Sequence, residues 1–515
     1  MSTIFQFCIV SRWRTADETA TGASDEIGVA LQVLPPRPYL DALVQSYLSG
    51  PNYQYYIIYP PPFSKDYATW WEDRVRGRKP DRAMTCLLLR VCACSTQAPS
   101  DSLRATLENE LGENLPQLSK RYHTAARSLS SSIGAGKGGL VHVQQLFLTS
   151  WWLKGDAQFV DSWHLLAAAI HEAQKLGLHD KKMYPAVDEF EEEMGRRVWC
   201  VLYVCESLLS RPRIVDNSCC SFDPPDLHLD TTDAGQDCPS PITHMVLLCQ
   251  LFQTLSADFV PFRRELSVDQ IFTLQQIVSD WLATCPSIYK TTEKPRDDEP
   301  PYVRLQRWTI QVPAYLLMLQ PLKPYLTTKP GHGSSETHRH LQVAAVRCAL
   351  NLADSSAQLA QETVVYVTNL HTAVFTLFDA TAVLCSSILH DRDHCLPQRE
   401  KVIEAIGRGV RTMGELSEIS RTAVTAHNVL SHLIRTPGLA WNERDDAESA
   451  CADRLAIGTP RLSGVRSSIG PDKSSGSMLP SPGLHRGESE IASVKDLQLG
   501  QLGEMWSWHS LDFDL

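Results

Sequence analysis

The sequence predicts an all-α protein, with one large, irregular helical domain between disordered N-terminal and C-terminal segments. Apolar residues recur at spacings of three and four over long stretches, as they do along one face of an α-helix. The alternation of apolar and polar residues that marks a half-buried strand is rare. No fixed-period repeat of the solenoid kind is detectable.

Length and charge limit the broad class of the protein. A chain of 515 residues can bury a large core and hold more than one folding unit. The net charge of -11 argues against a broad nucleic-acid footprint, because DNA affinity depends on neutralising phosphates with Lys and Arg. A local basic run before residue 83 keeps two interpretations open, a solvated loop or a segment for nuclear import or phosphate contact. Its residues are Arg74, Arg76, Arg78, Lys79 and Arg82.

The sequence also indicates a location inside the cell, in a reducing compartment. The N-terminus has too short an apolar run for a signal peptide, and no uninterrupted apolar stretch approaches the ~18 to 20 residues that span a bilayer. We therefore expect a soluble, intracellular protein with no membrane partner. The 15 cysteines are scattered, and most lie in apolar helical contexts where they act as small buried hydrophobes. Examples are Cys86, Cys92, Cys200, Cys205, Cys249, Cys348 and Cys385.

The first part of the chain is predicted to contain little regular structure. Residues 1–50 show little pattern and are expected to be poorly structured. An aromatic run follows, and within it Pro60-Pro61-Pro62 argues against a continuous helix, so we expect an extended entry segment packed on the helical body. Its aromatic residues are Tyr53, Tyr55, Tyr56, Tyr59, Phe63, Tyr67, Trp70 and Trp71.

Helices are predicted in order along the rest of the body. Residues 83–98 form a buried helix and residues 101–133 a helical pair. Residues 157–178 carry one apolar stripe and end at Gly177, a residue suited to a C-terminal cap. Residues 188–210 begin at Asp188 with Glu191 three residues later, a pattern typical of an N-terminal capping box. Further helices are predicted at 242–256, 267–283, 302–327, 336–361, 364–390 and 398–434.

After about residue 437 the composition changes. Ser, Gly and Pro make up more than half of the segment from Thr459 to Glu488, which cannot bury enough apolar surface to fold, so residues 437–500 are predicted to be a disordered linker. Residues 501–515 form an acidic-aromatic tail. Two interpretations stay open, an activation segment that docks in a coactivator groove or a helix packed back on the body. The tail residues in question are Trp506, Trp508, Leu511, Asp512, Phe513 and Asp514.

No pattern predicts a metal, a cofactor or a catalytic site. A binuclear zinc cluster needs six thiolates in Cys-x2-Cys-type arms, and this sequence contains no Cys-x-x-Cys. His171-Glu172 begins like a metalloprotease helix but has Lys175 where the second histidine belongs. Residues 131–138 faintly resemble a phosphate loop but lack its first glycine and its final Ser or Thr. We therefore expect an inter-helix loop there, and no enzyme.

Several motifs together resemble the middle homology region of fungal binuclear zinc-cluster transcription factors. The resemblance extends over about residues 50–440 and is most specific at 140–230. The residues that match the family's signatures are Ser162, Trp163, Leu176, Gly177, Leu178, His179, Glu193, Met194, Arg196, Arg197, Trp199, Arg211 and Pro212. The sequence departs from the pattern at Gly195, Glu206 and Ser210, and Gly195 is expected to weaken its helix by roughly 1 kcal/mol relative to Ala.

The resemblance implies an all-α regulatory domain at 51–436, a nuclear location and control of a pathway-specific gene set, such as a nutrient-use or secondary-metabolite cluster. It also implies the transcription machinery or a coactivator as partner, with a zinc-cluster factor or a homodimer as further candidates. DNA contact would come from a zinc cluster encoded upstream of a truncated sequence, or from a partner. Two alternatives stay open, a module that inhibits a related zinc-cluster factor, and a helical enzyme.

Overall fold

The fold was analysed in a computed structural model of the chain. It describes residues 26–97, 99–184, 188–208, 214–217, 220–230, 239–258, 266–291, 299–327, 336–365, 370–391 and 393–435. The described residues are helical apart from turns and one isolated bridge between Asp180 and Ser221, so the predicted all-α class is confirmed.

Ten helices precede residue 260 in the described part of the chain. They are α1 (Glu26–Val33), α2 (Arg37–Ser49), α3 (Pro60–Val75), α4 (Arg82–Gln97), α5 (Asp101–Leu111), α6 (Leu115–Ser131), α7 (Gly139–Gly155), α8 (Phe159–Leu176), α9 (Glu189–Ser207) and α10 (Thr243–Asp258). Seven described helices follow. They are α11 (Val268–Thr284), α12 (Pro301–Leu319), α13 (Pro324–Thr327), α14 (Glu336–Val365), α15 (His371–His390), α16 (Arg399–Leu416) and α17 (Arg421–Ile434).

The first hydrophobic core is built from α1 to α10 and centres on α4. Every residue of α4 from Ala83 to Thr96 is buried, and the helix packs against α2, α6 and α7. Helix α9 is buried almost as completely, from Arg197 to Glu206, and packs against α7, α8 and α10. Helix α4 from Met84 to Cys94 and α9 from Val198 to Cys205 are mostly apolar on all sides, as expected for segments enclosed by other helices.

The second core is built from α11 to α17 around α15. Contrary to the expectation from uninterrupted apolar runs, α15 is apolar enough to cross a membrane by length and composition, with a mean hydropathy of 1.7. It is the one helix among the described residues that meets this criterion. Most of α15 is buried, and it packs against α14, α16 and α17. Its position at the centre of the second core accounts for its apolar composition.

A polar contact joins the two cores. Gln306 of α12 is fully buried. Its side-chain amide donates hydrogen bonds to the carbonyl oxygens of Tyr53 (3.2 Å) and Pro241 (2.7 Å), and its carbonyl oxygen accepts one from the Tyr289 hydroxyl (3.1 Å). Because these bonds satisfy a buried amide, they fix the position of α12 relative to the first core.

Two predictions for the start of the chain are wrong. Residues 26–49 form α1 and α2, whose Leu40 and Leu43 are fully buried in the first core, whereas residues 1–25 lie outside the described residues. The three prolines do not prevent a helix, because Pro60 begins α3. The N–H groups of a first helical turn have no helical partner, so proline costs little there and its φ already suits the helix.

The helices predicted from apolar periodicity agree closely with α4, α8, α9, α10 and α11. Two predictions merged separate helices. The predicted helix 302–327 is divided into α12 and α13, and 398–434 is divided at residues 417–420 into α16 and α17. The Ser420 side chain accepts a hydrogen bond from the Ala423 N–H and so caps the second helix.

A buried histidine in the first core makes the fold sensitive to acid. The Nδ1 atom of His123 lies 2.8 Å from the Arg90 guanidinium, and the imidazole stacks on Trp152. Burial, and then the charges of Arg90 and Arg127, lower the pKa of His123 to about 3. The neutral imidazole therefore accepts a hydrogen bond from Arg90, and its protonation would place two cations in contact.

We predict that the protein loses stability as the pH falls from about 6.5, the pKa of an unfolded histidine, toward the folded value of about 3. The unfolded chain binds the proton more readily in this window, at a cost of about 1.4 kcal/mol per pH unit. Urea unfolding of His123→Gln should show a smaller pH slope than the wild type. The exposed-site control His171→Gln should keep the wild-type slope, and an unchanged slope in His123→Gln would contradict the prediction.

Candidate regulatory site

The signature residues of α8 hold it tightly against α7. Ser162 is fully buried, and its hydroxyl donates to the Ser150 carbonyl (2.8 Å), while the Ser150 hydroxyl donates to the Ser162 carbonyl (2.8 Å). Small side chains at this crossing let the two backbones approach closely. The neighbouring Trp163 is partly buried against the first core.

The end of α8 is a tightly hydrogen-bonded turn. Gly177 adopts φ +85°, and its N–H bonds the Gln174 carbonyl (3.0 Å), while the Leu178 N–H bonds the Ala173 carbonyl (3.0 Å). These two bonds form the Schellman arrangement that the Gly177 cap predicts. A Cβ on Gly177 would lie 2.7 Å from the Met183 backbone, so glycine is required by space as well as by φ.

The turn places His179 beside α9. The His179 carbonyl accepts a hydrogen bond from the Ser221 N–H (3.0 Å), and its ring lies 5.9 Å from the ring of Trp199. Trp199 is fully buried on α9. The signature residues Leu176 and Met194 pack at the edge of the same core, and Leu178 lies inside it. The signature is thus largely a packing unit.

Glu193 is the polar centre of this unit. Its carboxylate accepts hydrogen bonds from Arg197 Nε (2.8 Å), Arg196 Nε (3.0 Å) and the backbone N–H of Asp226 (3.0 Å). The side chains of Glu193 and Arg197 are only 5% and 2% exposed. Arg197 also donates to the Asp226 carbonyl (3.0 Å) and lies over the ring of Tyr59, 4.9 Å from its centroid. The network ties α9 to the loop at 220–230 and to the entry segment.

The departures from the family pattern have local explanations. Gly195 does not interrupt α9, and a Cβ there would lie 2.8 Å from Cε1 of Tyr184 and 3.1 Å from Cδ2 of Leu178. Glu206 is buried and accepts hydrogen bonds from the N–H groups of Ile214 and Val215. The remaining signature positions, Ser210, Arg211 and Pro212, lie outside the described residues, as do all positions of the 501–515 tail.

The segment that resembles a phosphate loop, residues 131–138, contacts the segment of α8 that resembles a metalloprotease helix. The Gly136 N–H donates to the Glu172 carboxylate (2.7 Å), and the Lys175 ammonium donates to the Ala135 carbonyl (2.9 Å). The predicted inter-helix loop therefore docks on α8. No group of three metal-ligating side chains occurs in the described parts of the chain. The seven cysteines predicted to be buried are buried, and each is a free thiol.

The basic run before α4 is largely engaged within the protein. Arg74 lies over the Trp70 and Trp71 rings, Arg76 pairs with Glu72, and Arg78 pairs with Asp73. Arg82 donates to the Ser132 hydroxyl at 3.2 Å. These contacts favour the interpretation of a structural helix end over a phosphate-binding segment.

A cavity of about 80 Å³ lies between the two cores. Its volume is several times the roughly 10 to 15 Å³ that one water molecule occupies. Residues of α7, α9 and α10 line one side, and residues of α12, α14 and α15 line the other. Most of the lining is apolar, with Val204, Leu248, Val312, Leu359 and Phe375 among its residues.

Lys154 of α7 is the one lysine among the described residues that line the cavity, and no Arg, Asp or Glu accompanies it there. Burial lowers the pKa of Lys154. Burial, and then the Lys154 charge, hold the pKa of His371 well below its usual range, and burial raises the pKa of the Cys205 thiol to about 11. The sequence predicted the burial of Cys205 but pointed to neither Lys154 nor His371. The signal for Lys154 was a lysine that directly follows the apolar run Trp151-Trp152-Leu153 in a buried helix.

Known proteins match the part of the chain that contains the signature. Residues 44–211 match the model of the fungal specific transcription factor domain. The matched region contains every described signature residue and the α7 and α9 walls of the cavity, and the expected resemblance is confirmed.

Individual relatives agree with the domain. The chain is 31% identical over 226 residues to the probable transcription factor sol4 of Alternaria solani, which covers 43% of this chain and 40% of that protein. It is 27% identical over 194 residues to the transcription factor xilB of Penicillium rubens, covering 35% of this chain and 28% of that protein. The Zn(2)-C6 fungal-type transcription factor pigI of Monascus ruber is 24% identical over 206 residues, covering 38% of this chain and 24% of that protein. The chain thus matches less than half the length of these relatives.

We predict that Glu193→Gln destabilises the domain by about 3 to 5 kcal/mol, because it leaves the buried Arg197 without its counter-charge. Urea unfolding measures the change. The matched control is Glu192→Gln, whose side chain is 34% exposed and pairs with Arg196 at 3.1 Å. That control should cost no more than about 1 kcal/mol. Equal effects of the two substitutions would contradict the assigned role of Glu193.

We predict that Gly195→Ala destabilises the protein, although the same change in an open helix gains about 0.5 to 1 kcal/mol. The reason is the contact that the new Cβ would make with the Tyr184 ring. In a Tyr184→Ala background the ring is gone, and Gly195→Ala should become neutral or stabilising. Unfolding free energies of the four proteins test this, and the prediction is wrong if Gly195→Ala stabilises the protein that retains Tyr184.

Proposed function

We propose that this protein is a nuclear transcription regulator of a pathway-specific gene set, in which the helical body at 51–436 controls the tail at 501–515. The observation that carries the proposal is the fungal specific transcription factor domain at 44–211, together with relatives that are themselves named transcription factors. Control of a secondary-metabolite or nutrient-use cluster remains part of the proposal. No catalytic activity is proposed, since the family acts in transcription.

DNA contact is proposed to come from a zinc cluster on a segment upstream of this sequence or on a partner. Two observations support this division. The net charge is -11, and four of the five residues of the densest basic run are engaged in contacts within the protein. A relative, pigI, is named a Zn(2)-C6 fungal-type transcription factor. A body with this charge would contribute regulation and partner binding, not affinity for phosphates.

One alternative follows from the same division of labour. A body that binds a zinc-cluster factor without supplying its own DNA contact would titrate that factor and inhibit it. Overproduction separates the two proposals. An activator raises the expression of its target genes, whereas an inhibitor lowers it and co-purifies with the zinc-cluster factor.

We predict that residues 435–515, fused to a neutral DNA-binding domain, activate a reporter. The proposed reason is that acidic residues would keep the aromatic side chains in water and available to a coactivator groove, in which they would dock on folding. Substitution of Trp506 and Trp508 by Ala should abolish activation. Substitution of Ser507 and Ser510 by Ala, the matched control, should leave it unchanged. A tail that never activates would exclude the activation role.

A further inference from the structure

The cavity between the two cores is lined by a lysine whose charge has no partner among the described residues. Lys154 lines it from the last turn of α7, and among the described residues its ammonium has no hydrogen bond or ion pair. No Asp or Glu occurs among the described residues of the lining. Lys154 is partly exposed, so its ammonium has lost part of its water without gaining a counter-charge, which is costly unless another molecule supplies one.

Three threonine hydroxyls around the cavity are already bonded, whereas the side-chain oxygen of Gln54, another lining residue, is buried without a hydrogen-bond partner among the described residues. The Thr309 hydroxyl donates to the Leu305 carbonyl (3.0 Å), and the Thr363 hydroxyl donates to the Leu359 carbonyl. The Thr376 hydroxyl donates to the Thr372 carbonyl (2.9 Å) and accepts from the Ser356 hydroxyl (2.8 Å). These bonds occupy the threonine hydroxyls, so Lys154 supplies the charge, and Gln54 a neutral polar group, that would determine which polar end of a ligand is accepted.

We propose that this cavity binds a small apolar molecule that carries a single carboxylate, with the carboxylate on Lys154 and the apolar part between α12 and α15. One negative charge matches one lysine. A second charge, as on a phosphate monoester, would be buried without a partner and would be rejected. An ammonium ligand would meet Lys154 with a like charge. The surrounding Val312, Leu359 and Phe375 supply the apolar contacts.

The electrostatics of the site agree with this ligand. Burial lowers the pKa of Lys154, and its charge contributes to lowering the pKa of His371. A bound carboxylate would reverse both effects, because an opposite charge within a few ångströms favours the protonated forms. Ligand binding should therefore be accompanied by proton uptake, which a neutral ligand in the same cavity would not cause.

The location gives binding a structural consequence. The ligand would contact α7 and α9 of the fungal transcription factor domain on one side, and α12, α14 and α15 of the second core on the other. A molecule that touches both cores stabilises their relative position by the free energy with which it prefers that arrangement. Binding of a metabolite would thus change how strongly the two cores are held in their relative position. The regulatory role of the ligand rests on the proposed function, whereas its binding does not.

Binding to the full chain tests the site. The probes are hexanoate and benzoate, an aliphatic and an aromatic monocarboxylate, each paired with its neutral amide, hexanamide and benzamide. We expect calorimetry to show saturable binding of at least one acid, at least about tenfold tighter than its amide, a difference of about 1.4 kcal/mol. The preferred probe indicates whether the natural ligand is aliphatic or aromatic. Absence of binding by both acids, or equal affinity for acid and amide, would overturn the proposal.

Variants locate the bound carboxylate. Lys154→Met keeps the length of the side chain and removes its charge, so the affinities for acid and amide should converge. The protein without ligand should melt at the same or a higher temperature, because an unpaired cation has been removed. Lys120→Met, an exposed lysine on α6, is the matched control and should keep the wild-type preference for the acid. An undiminished preference for the acid in Lys154→Met would overturn the assignment.

Proton uptake gives a measurement on the unmodified protein. Titrations at about pH 9 in two buffers with different ionisation enthalpies should show uptake with the acid and none with the amide, because the carboxylate raises the lowered pKa of Lys154. Uptake that is equal for both ligands would contradict the role of Lys154. A reporter assay tests the proposed transcriptional function separately. A negative binding experiment would therefore overturn the ligand site alone, and a negative reporter assay would overturn the transcriptional function alone.

Discussion

The buried carboxylate of Glu193 is the interaction on which the first core most depends. It neutralises Arg197, contacts Arg196 and accepts the backbone N–H of Asp226. Because the pair is almost inaccessible to water, either charge alone would be strongly destabilising, whereas the complete network satisfies both. The network also places Tyr59 over the guanidinium, so one carboxylate aligns α9, a distant loop and the entry segment before α3.

The same requirement for satisfied polar groups explains how the helices are joined elsewhere. Ser150 and Ser162 exchange hydrogen bonds where α7 crosses α8, and Gln306 bonds two carbonyls of the first core from α12. Such bonds add modest free energy individually, but leaving any of these groups unpaired would cost more. They therefore fix geometry more than they add stability. Lys154 contrasts with them, because its polar group faces a cavity.

This contrast links the fold to regulation. The match to the fungal specific transcription factor domain ends at residue 211, so the matched region supplies only one wall of the cavity, and helices beyond it supply the other. A site of this kind responds to the relative position of the two cores, which a rigid apolar interface would not do. The proposed regulator would then combine a domain shared with named transcription factors and a second helical core that completes the ligand site.

The sequence by itself determined the all-α class, the limits of α4, α8 and α9, the cap at Gly177 and the burial of the cysteines, because apolar periodicity and capping residues act over a few neighbouring positions. It misjudged Pro60, whose effect depends on its place in the first turn, and Gly195, whose missing Cβ is explained by the Tyr184 ring. Only the tertiary structure decided that Glu193 and Asp226 meet and that Lys154 lies beside His371. These residues are brought together by the packing of segments that are far apart in the chain, so no local sequence pattern predicts their contacts.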